Sequence, residues 1–279
     1  MVRRRPTSNS SGGAGVTSKL LSRRFASAMP FVAAVTLATP LVVLAMEALS
    51  TRWFYPDPIP VSLTTAHFTR VLSDPATWRS IRAGLGVSGV VTALVLVLAW
   101  PASQVLARPH LRGRTVVVAL LFLPSLLPAV GLAMGIDVVL LRLGVAGTYT
   151  AVVVAHLAPT IPYGVVALTA AFVRHDRRIE AQAAVLGASP WQRLRLVTLP
   201  SLRGGLTVAA ALVFVVSWSQ YLLTVLAGSG RIVTVTMLLF AALSGGSPST
   251  VGVLALTAAV PATIMLSLAG SKATAGALR

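Results

Sequence analysis

The stretch IEAQAAVLGASPWQRLRLVTLP, residues 179–200, lies between two long apolar runs, yet it is itself amphipathic and basic. Gly187 and Pro190 interrupt it. Connections between neighbouring helices of a bundle are usually short, on the order of 2–8 residues. A patterned, charged segment of this length therefore indicates a structured element with a purpose beyond joining its neighbours.

The first half of this stretch carries the signals of a short helix. Asp176 can cap a helix that begins near residue 177, and Glu180 in the first turn suits the positive end of the helix dipole. Gly187 then ends the helix, because glycine readily adopts the left-handed conformation that follows a helix C-terminus.

The second half predicts another short helix, which begins two residues after the glycine. Ser189 is its cap, Pro190 takes the first helical position, and Gln192 completes a capping box. Leu199–Pro200 closes the segment where the next apolar run begins. The prediction for residues 174–200 is helix, glycine bend, helix, on the cytoplasmic face of a membrane.

Two purposes fit such a helix–bend–helix segment. It offers small residues that permit close approach of another protein, together with basic residues that can pair with an acidic partner. The small residues are Ala181, Ala183, Ala184, Gly187 and Ala188. The alternative is an amphipathic helix that lies on the lipid headgroups.

The composition of the whole chain indicates a polytopic membrane protein. Of its 279 residues, 56% are hydrophobic and only 10% are charged, whereas a soluble domain carries about 25% charged residues. The net charge of +17 comes from basic residues clustered between apolar runs, which is typical of loops at an anionic membrane surface and not of a nucleic-acid interface. Cysteine is absent, so disulfides and thiol chemistry are excluded.

The apolar runs predict an all-α fold with about six transmembrane helices. A run of roughly 20 apolar residues is needed to cross a bilayer. The candidate spans are 28–49, 81–107, 115–142, 148–172, 203–226 and 249–270. Pro124 and Pro128 predict a kink or break in the third, near its outer end.

The distribution of lysine and arginine predicts the orientation. If the N-terminus is cytoplasmic, 17 of the 23 basic residues fall in inside segments, which fits cytoplasmic N- and C-termini. The transmembrane domain then covers 26–271, between a basic tail at 1–25 and a short tail at 272–279. The alternative is that residues 3–46 form a signal peptide, cleaved near Ala45–Ala48.

The outer loop 50–80 is predicted to contain a short amphipathic helix near 65–74. Phe68, Val71 and Leu72 share one face of this helix. The aromatic residues and prolines of the loop suit an anchor at the membrane interface, and docking of a partner is the alternative.

Polar residues in the fifth span are the candidates for a solute pathway. They are Ser217, Ser219, Gln220, Tyr221 and Thr224. All but Ser219 recur at spacings of three and four, which places them on one face of a helix. Such a face should line a water-filled path, or alternatively bond to neighbouring helices. Tyr163, beside an expected break at Pro159 and Pro162, is a weaker candidate.

The sequence has no motif for a catalytic or energy-supplying step. It lacks a phosphate-binding loop and any metal-binding cluster, and its four histidines are scattered. His156 inside a span is expected to be hydrogen-bonded within the bundle. Asp137 and Glu47 lie near the outer ends of spans, where an interfacial or a functional role is equally open.

The 179–200 stretch resembles the EAA loop of permease subunits of binding-protein-dependent ABC importers. Gly187 is followed at the family's spacing by Val197 and then by Leu199–Pro200, while Glu180 stands one place before the motif's glutamate position. AHLAPTIPYGV (155–165) is similar to a stretch common in these permeases. FVVSWSQYLLTVLAG (214–228) resembles the subgroup that serves polyamine, thiamine and ferric-iron importers.

This resemblance implies a type I importer permease fold, a place in a bacterial plasma (inner) membrane and a set of partners. They are a cytoplasmic ATPase dimer that holds ATP and Mg, a second permease, identical or different, an extracytoplasmic solute-binding protein and membrane lipid. Ala183, Ala184, Gly187 and Ala188 would contact the ATPase, and Leu199–Pro200 would join the loop to the fifth span. The chain itself would bind no cofactor and catalyse no reaction.

Two other classes remain as alternatives. A stand-alone channel or secondary transporter would show inverted repeats or paired charges at mid-membrane. An intramembrane enzyme would need a nucleophile beside a base, and Ser217 with His156 is the one conceivable pair.

Overall fold

The computed structural model describes residues 35–36, 38–51, 53 and 56–277, with side chains as far as residue 271. The regular secondary structure of this part of the chain is helical, and its one β-bridge, between Ser50 and Leu63, is isolated. The all-α prediction is therefore confirmed. The predicted tail 1–25, the start of the first predicted span and residues 278–279 lie outside the described residues.

Twelve α-helices and one π-helix make up the described chain. The α-helices are α1 (Ala38–Leu49), α2 (Ala66–Ser73), α3 (Pro75–Leu106), α4 (Arg114–Leu126), α5 (Ala129–Arg142), α6 (Tyr149–Val173), α7 (Arg177–Val185), α8 (Pro190–Arg193), α9 (Leu199–Trp218), α10 (Leu222–Ala227), α11 (Val235–Ser244) and α12 (Pro248–Ala277). The π-helix, π1 (Leu194–Thr198), lies between α8 and α9.

Four of these helical segments are long and apolar enough to cross a membrane, or five if α4 and α5 together form one broken span. They are α3, α6, the continuous run Pro190–Trp218, and α12. The chain is thus a multi-pass membrane protein. The described part of the first predicted span, α1, is shorter than a full span, so the count of six stays a prediction.

The third predicted span is broken, as its prolines indicate, but the break lies in its middle. α4 and α5 meet at an angle of 91°. Pro128 favours an extended backbone at the preceding residue, and Leu127 has φ −75° and ψ 146°. α4 has no buried residue and α5 has only Ala133 and Leu140, so the pair lies at the outside of the bundle formed by this chain.

The core lies where α3, α6 and α9 pack together. Val95, Leu168 and Val213 are fully buried there, and Ser103 Oγ donates a hydrogen bond of 3.0 Å to the Val165 carbonyl of the neighbouring helix. Gly164 lets the three helices approach closely, because a Cβ at this position would overlap Val95 Cγ1. Small residues at helix crossings are typical of membrane bundles.

Several predicted boundaries are corrected by the structure. α6 continues through Pro159 and Pro162 without the expected break. Thr160, which lies between the two prolines, donates its hydroxyl to the His156 carbonyl at 2.6 Å. α12 extends to Ala277, so most of the predicted tail is helical. The fifth span ends at Trp218 instead of near 226, and α11 was not predicted.

The predicted amphipathic helix of the outer loop is present as α2. Val71 is buried and Phe68 packs beside it against the same apolar cluster. Leu72, which the spacing predicts on the same face, is 37% exposed instead. The packing of α2 onto α3 and α12 thus uses a narrower face than the sequence pattern indicates.

Candidate functional site

The first candidate site is the elbow, residues 176–198, whose first helix is built as its sequence predicts. Asp176 Oδ1 accepts from the Arg178 backbone N–H at 2.9 Å. Gly187 has φ +86°, in the left-handed region that favours glycine. The Ala188 N–H returns to the Ala183 carbonyl at 3.0 Å, which closes the helix end in the usual glycine-dependent way.

The second helix of the elbow starts from a complete capping box. The Gln192 N–H donates to Ser189 Oγ at 3.3 Å, and the Ser189 N–H donates to Gln192 Oε1 at 2.7 Å. The predicted separate short helix is not observed, however, because the helix runs without interruption from Pro190 to Trp218. The second half of the elbow is therefore a helical extension of a membrane span.

The join between elbow and span is the π-helix π1. The Leu199 N–H bonds to the Leu194 carbonyl, five residues back, where an α-helix would bond four residues back. Pro200 gives a physical reason, since a proline ring clashes with the carbonyl four residues before it and favours a wider turn. Of the predicted linking residues, Val197 is half-buried, and Leu199 and Pro200 are exposed in the first turn of α9.

Glu180 connects the two halves of the elbow from the inside. Its Oε1 accepts from Thr198 Oγ1 at 2.5 Å and contacts His175 Nε2 at 2.9 Å. The other ring nitrogen of His175 lies 2.9 Å from Ser201 Oγ. Glu180 is half-buried in this network, so its carboxylate is engaged within the chain instead of being presented to a partner.

The surroundings of Glu180 shift its pKa in opposing directions. Burial raises the pKa of the carboxyl, but hydrogen bonds from Thr198 and His175, together with the positive charges of His175 and Arg177, outweigh burial. The pKa of Glu180 is therefore lowered from its ordinary value of 4.5.

This shift predicts how the elbow responds to acid. A carboxyl whose pKa is lowered by folding stabilises the fold fully above its unfolded pKa, and this stabilisation is lost as the pH falls towards the folded pKa. We expect cleavage of the elbow by an acid-active protease to accelerate as the pH falls below 4.5. The control is Glu180→Gln, which does not titrate; equal pH dependence in the two chains would contradict the prediction.

The outer surface of the elbow is more apolar than its alanines suggest. Val185 is 88% exposed, Leu186 86% and Trp191 66%. Of the predicted contact residues, Ala184 and Gly187 are exposed beside them, while Ala183 and Ala188 are half-buried. We name Val185, Leu186 and Trp191 the elbow tip. The sequence signal for it was a pair of large apolar residues directly before the glycine.

The second candidate site is the interrupted span formed by α9 and α10. Residues 219–221 separate the two helices, so the predicted single helical face of Ser217, Gln220, Tyr221 and Thr224 is wrong. Ser217 and Thr224 are buried, and each bonds to His156 at 3.0 Å. Helix–helix hydrogen bonding, the alternative for this polar run, therefore describes these two residues.

The remaining pathway candidates stay close to the surface of this chain. Ser219 is exposed and Gln220 is half-buried. The Tyr221 ring stacks on Phe240 with ring centroids 4.2 Å apart. Tyr163 is 37% exposed and packs edge-on against Phe122 of α4.

The expectation that His156 is hydrogen-bonded within the bundle is confirmed by its bonds to both hydroxyls. The contact with Ser217 also brings together the pair that an intramembrane enzyme would need. The third group is the neutral hydroxyl of Thr224 instead of a carboxylate, and Ser217 is buried. The arrangement is that of a structural bond and not of an activated nucleophile with access to substrate.

The two acidic residues near span ends occupy different surroundings. Asp137 Oδ1 is buried and has no hydrogen-bond partner among the described residues, whereas Glu47 is half-buried in the last turn of α1. Within the same part of the chain, no three His, Asp or Glu side chains are grouped so that they could hold a metal ion.

Comparison with known proteins identifies the class to which this arrangement belongs. The chain is 30% identical over 189 residues to a protein named as a 2-aminoethylphosphonate transport system permease, PhnV, of Salmonella paratyphi A. The match covers 67% of this chain and 70% of that relative. No family profile matches the chain.

Solved structures show the same fold. A bacterial ABC transporter that imports the polysaccharide alginate matches with a TM-score of 0.67 and 16% identity, over 96% of this chain and 99% of the other. A second structure of the alginate transporter, in complex with its alginate-loaded periplasmic protein, matches with a TM-score of 0.58 and 16% identity, over 90% and 93%.

The fold and the relatives together define the class as the membrane subunits of ABC transporters. The chain belongs to the permease family of binding-protein-dependent ABC importers.

Proposed function

We propose that this chain lines the translocation pathway of an ATP-driven importer and that its elbow couples the pathway to a cytoplasmic ATPase dimer. The observation that carries the coupling role is the elbow tip. Val185 and Leu186 are exposed at the C-terminal end of α7, and Trp191 is exposed in the first turn of the helix that continues into the span. Isolated exposed apolar residues are normal, but a group of them on a polar, basic element favours a protein interface.

The rigid connection explains how the tip would transmit movement. The run from Pro190 to Trp218 is one helix. The hydrogen bond from Thr198 to Glu180 connects the first elbow helix, α7, to this run. A displacement of the tip would therefore be passed to α9 and on to the break at residues 219–221. ATP, held with Mg by the ATPase, would bias this two-state element without contact with the chain itself.

The full transporter in this proposal has partners of three kinds. They are the ATPase dimer, a second permease, identical or different, and an extracytoplasmic solute-binding protein, set in lipid with both termini of this chain on the cytoplasmic side. The alginate transporter crystallised with a periplasmic protein supports the last kind of partner. The excess of basic residues in the predicted inside loops supports the orientation.

The cargo is proposed only as a small solute. The fifth-span signature led us to expect a polyamine, thiamine or ferric iron, whereas the named relatives carry aminoethylphosphonate and alginate. These solutes differ in charge and size, and no acidic cluster in the described spans selects a cation. The solute-binding protein is the better place to look for specificity.

The test is co-purification of the ATPase from native membranes with Leu186→Glu beside the unmodified chain. A buried carboxylate at the tip would lack a partner in an apolar interface, so we expect at least a tenfold loss of bound ATPase. The control is Gln182→Glu, which adds the same charge to an exposed position of α7. Bound proteins are identified by mass spectrometry.

Two results would oppose the proposal. If the unmodified chain is folded and fully extracted but brings down no ATPase, the elbow is an interfacial helix and a stand-alone transporter becomes the better interpretation. If both substitutions lower ATPase binding equally, charge and not the apolar tip governs the contact.

A further inference from the structure

The break between α9 and α10 contains no proline or glycine that would explain it. Its sequence is Ser219–Gln220–Tyr221. Irregular backbone within a membrane span persists only where protein or trapped water satisfies its polar groups. The contacts around the break must therefore supply what the local sequence does not.

The end of α9 is bonded to neighbouring helices. Thr236 Oγ1 of α11 donates to the Trp218 carbonyl at 3.1 Å. The Trp218 indole N–H donates to the Ala258 carbonyl of α12 at 2.9 Å. These bonds fix α9 against two helices, but neither of them reaches α10.

His156 of α6 is the side chain that bonds to both halves. Its Nδ1 lies 3.0 Å from Ser217 Oγ, in the last turn of α9. Its Nε2 lies 3.0 Å from Thr224 Oγ1, in the first turn of α10. All three side chains are buried, with 2% of each residue or less exposed, so water does not compete for these bonds.

The direction of each bond follows from the single proton of the Thr224 hydroxyl. Thr224 Oγ1 also bonds to the Gln220 carbonyl at 2.9 Å, and a carbonyl can only accept. The Thr224 proton therefore goes to Gln220, and His156 Nε2 must donate to Thr224. In a neutral ring Nδ1 is then the acceptor, so the Ser217 hydroxyl donates to it.

The result is one directed chain of hydrogen bonds across the break. It runs from the Ser217 hydroxyl to His156 Nδ1, from Nε2–H to Thr224 Oγ1, and from the Thr224 hydroxyl to the Gln220 carbonyl. Bonds arranged in series polarise one another in a medium of low dielectric constant. The last acceptor is a backbone group inside the break itself.

We propose that His156, in its Nε2–H tautomer, is a positioning residue that holds the two halves of the interrupted span in one geometry. By this bond chain it sets where Gln220 and Tyr221 lie, and thus which side chains face the solute. This purpose rests on the proposed function, whereas the bond chain itself can be tested without transport or an ATPase.

The order of the hydrogen bonds predicts that loss of the Thr224 hydroxyl disturbs the break more than loss of the Ser217 hydroxyl. Thr224→Val removes the acceptor of Nε2–H and the donor to the Gln220 carbonyl, and so leaves a buried N–H and a partly buried carbonyl without these partners. Ser217→Ala leaves only Nδ1 unpaired. Thr224→Ser keeps the hydroxyl and should behave as the unmodified chain.

Because the protein contains no cysteine, the accessibility of position 220 can be measured with a single introduced cysteine. In native membranes a single Gln220→Cys substitution, which keeps the backbone carbonyl, is labelled with a thiol reagent in each background. We expect Thr224→Val to speed labelling about tenfold, the order expected when buried groups lose their partners. Ser217→Ala should speed it less, and Thr224→Ser should leave it unchanged. Equal rates for Thr224→Val and Thr224→Ser would overturn the bond chain.

A second measurement needs no substitution in the bond chain. Nitrogen-15 NMR of labelled histidine distinguishes a protonated from an unprotonated ring nitrogen. His156 and His67 are the two histidines that follow an alanine, so alanine-carbonyl labelling in a His67→Gln chain assigns the His156 signals. We expect a protonated Nε2 and an unprotonated Nδ1. A protonated Nδ1 would overturn the proposed order, even if every hydroxyl variant failed to fold.

Discussion

Insertion of one alanine between Arg195 and Leu196 should leave a folded membrane protein whose elbow no longer holds the ATPase. Both residues lie in π1, whose widened turn already takes up one residue more than an α-helical turn needs. A further residue has no such turn to take it up, so it must shift the register of the helix. Each residue of an α-helix accounts for about 100° of rotation and about 1.5 Å of rise. The elbow would therefore turn by about 100° relative to the span.

This rotation would break the internal bond of the elbow. Thr198 stays with α9, whereas the residues before position 195 turn away, so Thr198 can no longer donate to Glu180. The elbow tip would point to a different side of the span. We expect ATPase co-purification to fall at least tenfold and protease cleavage between α7 and α8 to accelerate, with no fall in the melting temperature of the detergent-solubilised chain.

The control for the insertion is deletion of Arg195. It also changes the length of the helix by one residue, but it turns π1 into an ordinary α-helical turn and so leaves α8 and α9 nearly as they were relative to each other. If the deletion loses the ATPase as fully as the insertion does, the side chain of residue 195 and not the direction of the elbow governs coupling. If the insertion retains the ATPase, the register of this helix does not aim the tip.

The elbow shows why local sequence signals predict helix ends well. The caps at Asp176 and Ser189 and the bend at Gly187 each depend on the geometry of a single turn. The hydrogen bonds and backbone angles that form these caps involve only four or five consecutive residues. The π-helix before Pro200 also has a local cause, but a proline at this position indicates the end of a segment as readily as a widened turn.

The interrupted fifth span is a feature that local sequence signals do not predict. An unbroken helical period over 217–224 was the natural prediction, since none of these residues is a helix breaker. The break depends on bonds to His156 and Thr236, which are distant in the sequence. The resemblance to the permease family directed attention to the alanines of the elbow, while the exposure of Leu186 and Trp191 required coordinates.

The tightest contact of the core gives the prediction with the largest effect on folding. Gly164 lies where α6 meets α3 and α9. A Cβ there would overlap Val95 Cγ1, and it would lie 3.3 Å from Val213 Cγ2 and 3.7 Å from Ala99 Cβ. All three neighbours are fully buried on rigid helices. The helices would therefore have to separate to admit any larger residue.

Gly164→Leu should accordingly cost about 3 kcal/mol or more, the upper end of what overpacking a core costs. A typical native protein has about 5–15 kcal/mol of stability in total. We expect little monodisperse protein after detergent extraction, and a lower melting temperature in whatever is recovered.

The matched control for this prediction is Gly89→Leu in α3, where a Cβ meets nothing within 4 Å. Leucine is also the better helix former, by somewhat less than about 1 kcal/mol, so this variant should be extracted at least as well as the unmodified chain. If Gly164→Leu is extracted and melts like the Gly89→Leu control, the crossing of α3, α6 and α9 is looser than their contacts require. The rigid transmission from elbow to pathway, which depends on that crossing, would then lose its physical basis.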